Sequence, residues 1–175
     1  MRELAAPFLT RIVKERHGFR QDLLMAASAL KISGLPAPLE DEDALHLCHA
    51  HQGRRTRVRE ASPGRFEAGA RSWANEGELA RDLAANPRDF SCNVVSRVLW
   101  MRQLLPVAAE VLGPAEAAYH LQLQGCHARA GLLAPVLLPR PHVTVLRGRE
   151  EKRLAKLSLK PWQVGTTFPA TSEAR

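Results

Sequence analysis

The residues of this chain whose types and spacing could do chemistry fall in a few short stretches. His46-Leu47-Cys48-His49-Ala50-His51 offers imidazole and thiolate, the donors zinc takes. Along a strand His46 and Cys48 face one side while His49 and His51 face the other, so the four meet on one ion only if the strand bends. No second cluster supplies missing ligands at a recognised spacing. The expectation is therefore no metal site, and a polar, partly exposed hairpin strand. Cys126-His127 falls on a predicted helix, where adjacent side chains point about 100° apart, which argues against a paired nucleophile and base. His120, next to Tyr119, reads as a surface or groove residue with no visible partner. Neither a P-loop, GxGxxG nor GxSxG is present. Arg97, Arg140 and the turn at Gly113 are better candidates. A guanidinium is a planar fork for a carboxylate or phosphate, and the helix that opens after Gly113-Pro114 offers free amide protons to the same groups. On the residues alone, the plainer alternative stays open: surface ion pairs for the arginines and a simple turn at Gly113.

The elements that must position these residues follow from periodicity. Leu9, Ile12, Val13, Phe19, Leu23, Leu24, Ala27 and Leu30 recur at helical steps, which predicts one long amphipathic helix with Pro7 in its first turn, ended by Ser33-Gly34. After the acidic connector Glu40-Asp41-Glu42-Asp43, short strands over 45–50, 56–60 and 65–68 are separated by turn clusters and predict a small antiparallel meander. Glu76 to Ala85 reads as a helix capped by Asn75. A helix from Val98 to Leu105, a strand over 107–112, a helix from Pro114 to about Ala130, a strand over 134–138 and another over 143–146 follow. Arg149 to Leu159 reads as a last helix before a frayed tail. Strand, helix, strand implies a βαβ-like unit and an α/β domain, whose ligands sit beyond the carboxyl ends of strands, as the Leu112-Gly113-Pro114 turn does.

Composition narrows the class. With 175 residues, 45% hydrophobic and 25% charged, the chain is sized for one globular core and is neither collagen-like nor wholly disordered. No apolar run approaches the roughly 18 to 20 residues that span a bilayer, and the N-terminus lacks a signal peptide's apolar stretch. A soluble, cytoplasmic protein without a membrane partner is expected. Cys48, Cys92 and Cys126 are odd in number and widely spaced, which suits a reducing compartment. The net charge of +7 raises nucleic acid as a partner, but residues 140–175 hold eight Lys/Arg against three Asp/Glu and so supply +5 of it. A basic tail is weak support for nucleic acid, and Trp162 and Phe168 are the aromatics there for stacking.

Asn86-Pro87-Arg88-Asp89-Phe90-Ser91-Cys92-Asn93-Val94-Val95-Ser96-Arg97, Leu104-Leu105-Pro106, Gly113-Pro114-Ala115-Glu116-Ala117-Ala118-Tyr119 with Gln122-Leu123, and Pro135-Val136-Leu137-Leu138-Pro139-Arg140 carry a family signal. In order and spacing these blocks resemble the bacillithiol biosynthesis cysteine-adding enzymes, the BshC family. The likeness is specific over 86–146 and looser over 1–85. It implies part of a Rossmann-like core with a small antiparallel β insertion and the start of a C-terminal helical, coiled-coil arm. The implied layout is an amphipathic helix and linker over 1–39, a β-meander and helix over 40–85, a Rossmann-like portion over 86–147, and arm and tail over 148–175.

The activity implied by the resemblance is a ligase joining cysteine to glucosaminyl-malate, with those two molecules as partners and a homodimer formed through the arm. The matching residues that could touch an anionic substrate are Asn93 and Tyr119 as hydrogen bonders, Arg97 and Arg140 as anion binders, Gly113 for close backbone approach and Glu116 to orient an amine. No cofactor is evident, and a nucleotide stays open. Ala115 stands where the family usually has glycine, and Cys92 and Val98 stand where it usually has proline. Family members are far longer, so the expectation is a fragment or degenerate copy that does not complete the reaction alone. A non-catalytic helical interaction module and a basic nucleic-acid binder are the competing readings.

Overall fold

The computed structural model describes residues 2–39, 44–141, 143 and 145–161, which fall into two units, 1–140 and 141–175. In the first unit, the apolar stripe expected to form one helix is divided at Glu15 into α1 (Arg2–Lys14) and α2 (Arg16–Ile32). Phe8, Leu9, Ile12 and Val13 of α1 and Phe19 and Leu23 of α2 share the main core, and α2 in addition lies along a later helix. Gly18 makes that second packing feasible: a Cβ there would lie 2.2 Å from the Arg129 guanidinium, itself held by Asp22 at 2.6 and 3.0 Å. Pro7 lies inside α1, which begins at Arg2, and not in its first turn.

The expected meander is present and larger than its sequence signal. Strands β1 (Ala44–His51), β2 (Arg54–Ser62), β3 (Arg65–Ala68), β4 (Arg71–Trp73) and β5 (Phe90–Cys92) form an antiparallel sheet in the order β4-β3-β2-β1-β5. The β1–β2 hairpin turns through Gln52 and Gly53, both at positive φ, the conformation that matches the twist of two-residue hairpins. One sheet face carries Leu47, Val58, Phe66, Trp73 and Phe90 into the core under α1 and α3 (Glu76–Ala85). Asn75 caps α3 as expected, accepting from the Glu78 amide at 2.9 Å. Asp82 of α3 takes the Trp73 indole N–H at 2.7 Å together with donors from Arg71 and Asn86. Burial alone would raise its carboxyl, but these hydrogen bonds outweigh burial and hold it below the usual range.

Because β5 pairs with β1, the His-Cys strand lies inside the sheet and not at its edge: His46, Cys48 and His49 are all nearly inaccessible, and His51 at the hairpin end is exposed. His49 packs edge-on against Trp73 and Phe90, and His46 sits at φ 61° within a bulge of β1. Among the described residues no group of His, Cys, Asp and Glu is arranged to hold a metal ion.

After β5 the chain enters α4 (Val94–Leu104), which starts four residues before the expected Val98 because Asn93 and Ser96 form a capping box. Strand β6 (Ala109–Leu112), α5 (Pro114–Gln122), α6 (Gln124–Arg129) and β7 (Val136–Pro139) follow, with β6 and β7 parallel as the βαβ reading requires. The helix expected to run from Pro114 to Ala130 breaks at Leu123, where Gly125 brings α6 close enough that a Cβ would sit 3.0 Å from the Asp22 Cβ. Gly131, at φ 69°, ends it.

In the second unit, Val143, Val145 and Leu146 lie in no strand among the described residues, and the two valines are exposed; Thr144 lies outside the described residues. Helix α7 (Gly148–Lys156) stops short of the expected Leu159. Trp162 and Phe168 lie outside the described residues. Among the described residues no helix is long and apolar enough to cross a membrane.

Candidate substrate cleft

The sheet face turned away from the core bears arginines. Cys48 pairs with Arg57 on one side and Ser91 on the other, and directly opposed residues share a face. Arg55, two residues before Arg57, lies on that face too. Between it, α2 and the start of α4 lies a cleft of about 930 Å³ lined by Arg2, Arg20, Arg55, Arg57 and Arg97, and by no Asp or Glu among the described residues. Leu23, Leu24, Pro38 and Leu39 supply an apolar wall.

Asn93 and Arg97, both expected in the site, border this cleft. Asn93 also has a local task. Its Oδ1 accepts from the amides of Val95 at 2.9 Å and Ser96 at 3.2 Å, so the amide group is oriented with its nitrogen away from the helix, 3.5 Å from His46 Nδ1. The His46 carbonyl accepts from the Ser96 hydroxyl and, at 3.3 Å, from the Asn93 amide, which ties the bulge to the helix start. Arg97 is exposed to the cleft, one residue beyond the capping box. Arg55 braces the junction by donating from Nε to Ser91 Oγ at 2.9 Å and from Nη2 to the Cys92 carbonyl. The result is a helix N-terminus, a side-chain amide and several guanidiniums around one opening, which is chemistry suited to carboxylates or phosphates. The thiols of Cys48 and Cys92 are pushed up by burial and stay protonated there.

Gly113, Glu116 and Arg140 converge elsewhere, at the carboxyl ends of β6 and β7. Glu116 Oε2 accepts from the Gly113 amide at 2.9 Å and lies 3.7 Å from Arg140 Nη2. The close approach to Gly113 is made by Arg140, which a Cβ would meet at 2.6 Å. Tyr119 is half-buried on α5 beside His120. None of these four residues lines the cleft, so the expected site divides into two places.

His120 is not a surface residue. It is buried, with Nδ1 3.1 Å from Glu110 Oε2, the same carboxylate oxygen that pairs with buried Arg102. Burial lowers its pKa, against the pull of Glu110. His127, also buried, donates from Nδ1 to the Leu123 carbonyl at 2.9 Å and is likewise lowered by burial. Cys126 is pushed up to about 12 by burial, so Cys126-His127 makes no nucleophile and base, as the helix geometry requires.

Sequence reasoning missed Arg55 and weighed His46 only as a metal ligand. The alternation of Arg55, Arg57 and Arg59 along β2 marks a basic face, and Asn93-x-x-Ser96 marks a helix start; both signals are in the sequence.

Residues 1–141 match the family model described as the N-terminal Rossmann-like domain of the bacillithiol biosynthesis protein BshC. The chain belongs to the BshC family. It is 31% identical over 156 residues to the BshC of Heliobacterium modesticaldum, covering 88% of this chain and 28% of that one. It is 32% identical over 165 residues to the BshC of Exiguobacterium sibiricum, covering 94% of this chain and 31% of that one. The BshC of Salinibacter ruber is 40% identical over 85 residues, 49% of this chain and 16% of its own length. All three are named as cysteine ligases. The chain thus spans less than a third of the length of each of these BshC relatives.

Proposed function

We propose that this chain carries part of the substrate-binding surface of a cytoplasmic ligase that adds cysteine to glucosaminyl-malate, and that the cleft beside α4 takes the malate carboxylates. The observation that supports this most is the conjunction of Arg55, Arg97 and the α4 N-terminus around an opening whose described lining has no acidic residue. A dicarboxylate offers each guanidinium a charge-assisted partner. In this reading Asn93 donates from its side-chain nitrogen, its oxygen being spent on the cap. Gly113, Glu116, Tyr119 and Arg140 are assigned to a second contact with the substrates at the end of β6. The complete reaction belongs to the longer chain, and α7 is read as the beginning of an arm through which two copies pair.

Calorimetric titration of the chain with glucosaminyl-malate tests the proposal. Measurable binding, weakened at least tenfold by Arg97→Ala, is expected. Affinity no greater than for the uncharged sugar glucose, or an Arg97→Ala variant that binds as tightly as the parent, would overturn it.

A further inference from the structure

The cleft demands something more of its ligand than recognition, an inference that rests on the reading above. Among the described residues, Arg2 of α1 donates to the carbonyl of Arg88, and Arg55 of β2 to Ser91 Oγ and the Cys92 carbonyl, and neither meets a carboxylate. Arg97 of α4 has no side-chain partner among the described residues. These three cations therefore face the opening with no carboxylate partner among the described residues. Around them, α2 contributes Arg20, β2 Arg57 and β1 His46, each engaged in an interaction of its own, while Cys48 of β1 and Cys92 of β5 add thiols that burial keeps neutral. The α4 N-terminus adds partial positive charge.

Glucosaminyl-malate carries its amine and its malate on neighbouring carbons of one sugar ring. Free in water, the two carboxylates attract the ammonium form and hold the proton on. Once guanidiniums take up those carboxylates, that attraction is offset, and the ammonium is left beside cations that repel it. We propose that binding in this cleft strips the proton from the sugar amine, so that the arginines prepare the nucleophile as well as hold the substrate. The proton passes to solvent, the electron pair stays on nitrogen, and no bond to carbon forms or breaks in this step. Amide formation needs that free lone pair, and a neighbouring cation is an established way to expose an amine's nucleophilicity at neutral pH.

Calorimetry in two buffers of different ionisation enthalpy counts the protons exchanged on binding. At the pH where the free amine is half-protonated, glucosaminyl-malate is expected to release about half a proton per molecule bound. Glucosyl-malate, which has a hydroxyl in place of the amine, is expected to bind and release none. Glucosaminyl-malate that binds with no proton release, or with proton uptake, overturns the inference and leaves the binding reading standing. If neither compound binds, the binding reading itself falls, and the inference with it.

Discussion

Arg55 reaches from β2 across the intervening strand β1 to donate to the Ser91 hydroxyl on β5 at 2.9 Å, tying together two strands that are not neighbours in the sheet. Its second bond, to the Cys92 carbonyl, fixes the residue just before the α4 cap. One exposed arginine thus sets the position of the helix start that faces the cleft.

Removing that brace has a separable signature. Arg55→Ala is expected to cost about 1 kcal/mol of stability, the scale of a solvent-exposed charged hydrogen bond, and to weaken malate binding at least fivefold. Arg55→Lys keeps the charge without the planar fork and should recover part of the affinity only. Urea unfolding with calorimetry on the same samples checks both; an Arg55→Ala variant with unaltered affinity would contradict the role given to it.

Asn93 has two candidate roles that substitution can part. Asn93→Ala loses the cap and should destabilise by about 1 kcal/mol. Asn93→Asp keeps an oxygen for the amides of Val95 and Ser96 and should retain most of the stability, yet it places a negative charge beside the anion site and should bind malate more weakly than the parent. Equal affinity for the Asp variant and the parent would remove Asn93 from the binding surface and leave it as a cap.

Acid sensitivity follows from three buried imidazoles. His49, His120 and His127 are all held below the ordinary histidine range, chiefly by burial. Below about pH 6.5 the unfolded chain therefore binds protons that the folded chain refuses. The stability these groups contribute is fully present above that pH and is lost as the pH falls through it. The urea midpoint should be nearly level from pH 8 to 7 and decline between about 6.5 and 5. His120→Gln should flatten the decline; a midpoint that rises on acidification would contradict it.

The thiols should separate by reactivity. Cys126 is fully buried, with its thiol pushed up to about 12 and directed at the Phe19 carbonyl, whereas Cys92 is only partly buried. In the folded protein a thiol reagent such as DTNB should modify Cys92 first and leave Cys126 intact until denaturant is added. Peptide mapping after brief labelling checks the order.

Much of the architecture was legible because local chemistry announced it. Pro114 and Glu116 mark a helix start, Asn75 a cap, and Gly53 and Gly64 the turns, each acting within a few residues. What escaped was set by distant packing. Helix α2, set apart by the division at Glu15, is held through Asp22 by Arg129, 107 residues further along the chain. The three residues of β5 carry too little pattern to be seen as a strand, and without β5 the His-Cys segment read as a polar, partly exposed hairpin strand. At the site, residue types pointed to Asn93, Arg97, Gly113, Glu116, Tyr119 and Arg140, but only the fold shows that the first two border one cleft and that Glu116 is occupied with Gly113 and Arg140. The charge reading erred in emphasis: most of the excess lies in the last residues, yet the arginines that gather around an opening come from the near-neutral body.

The claim on which the rest depends is that the cleft beside α4 is where the anionic substrate sits. Backbone amide shifts of the ¹⁵N-labelled chain, followed during titration with glucosaminyl-malate, test it most directly. The account predicts saturable changes concentrated at residues 91–97 and at Arg55 and Arg57. Changes confined to other regions, or a spectrum that does not respond, would contradict it.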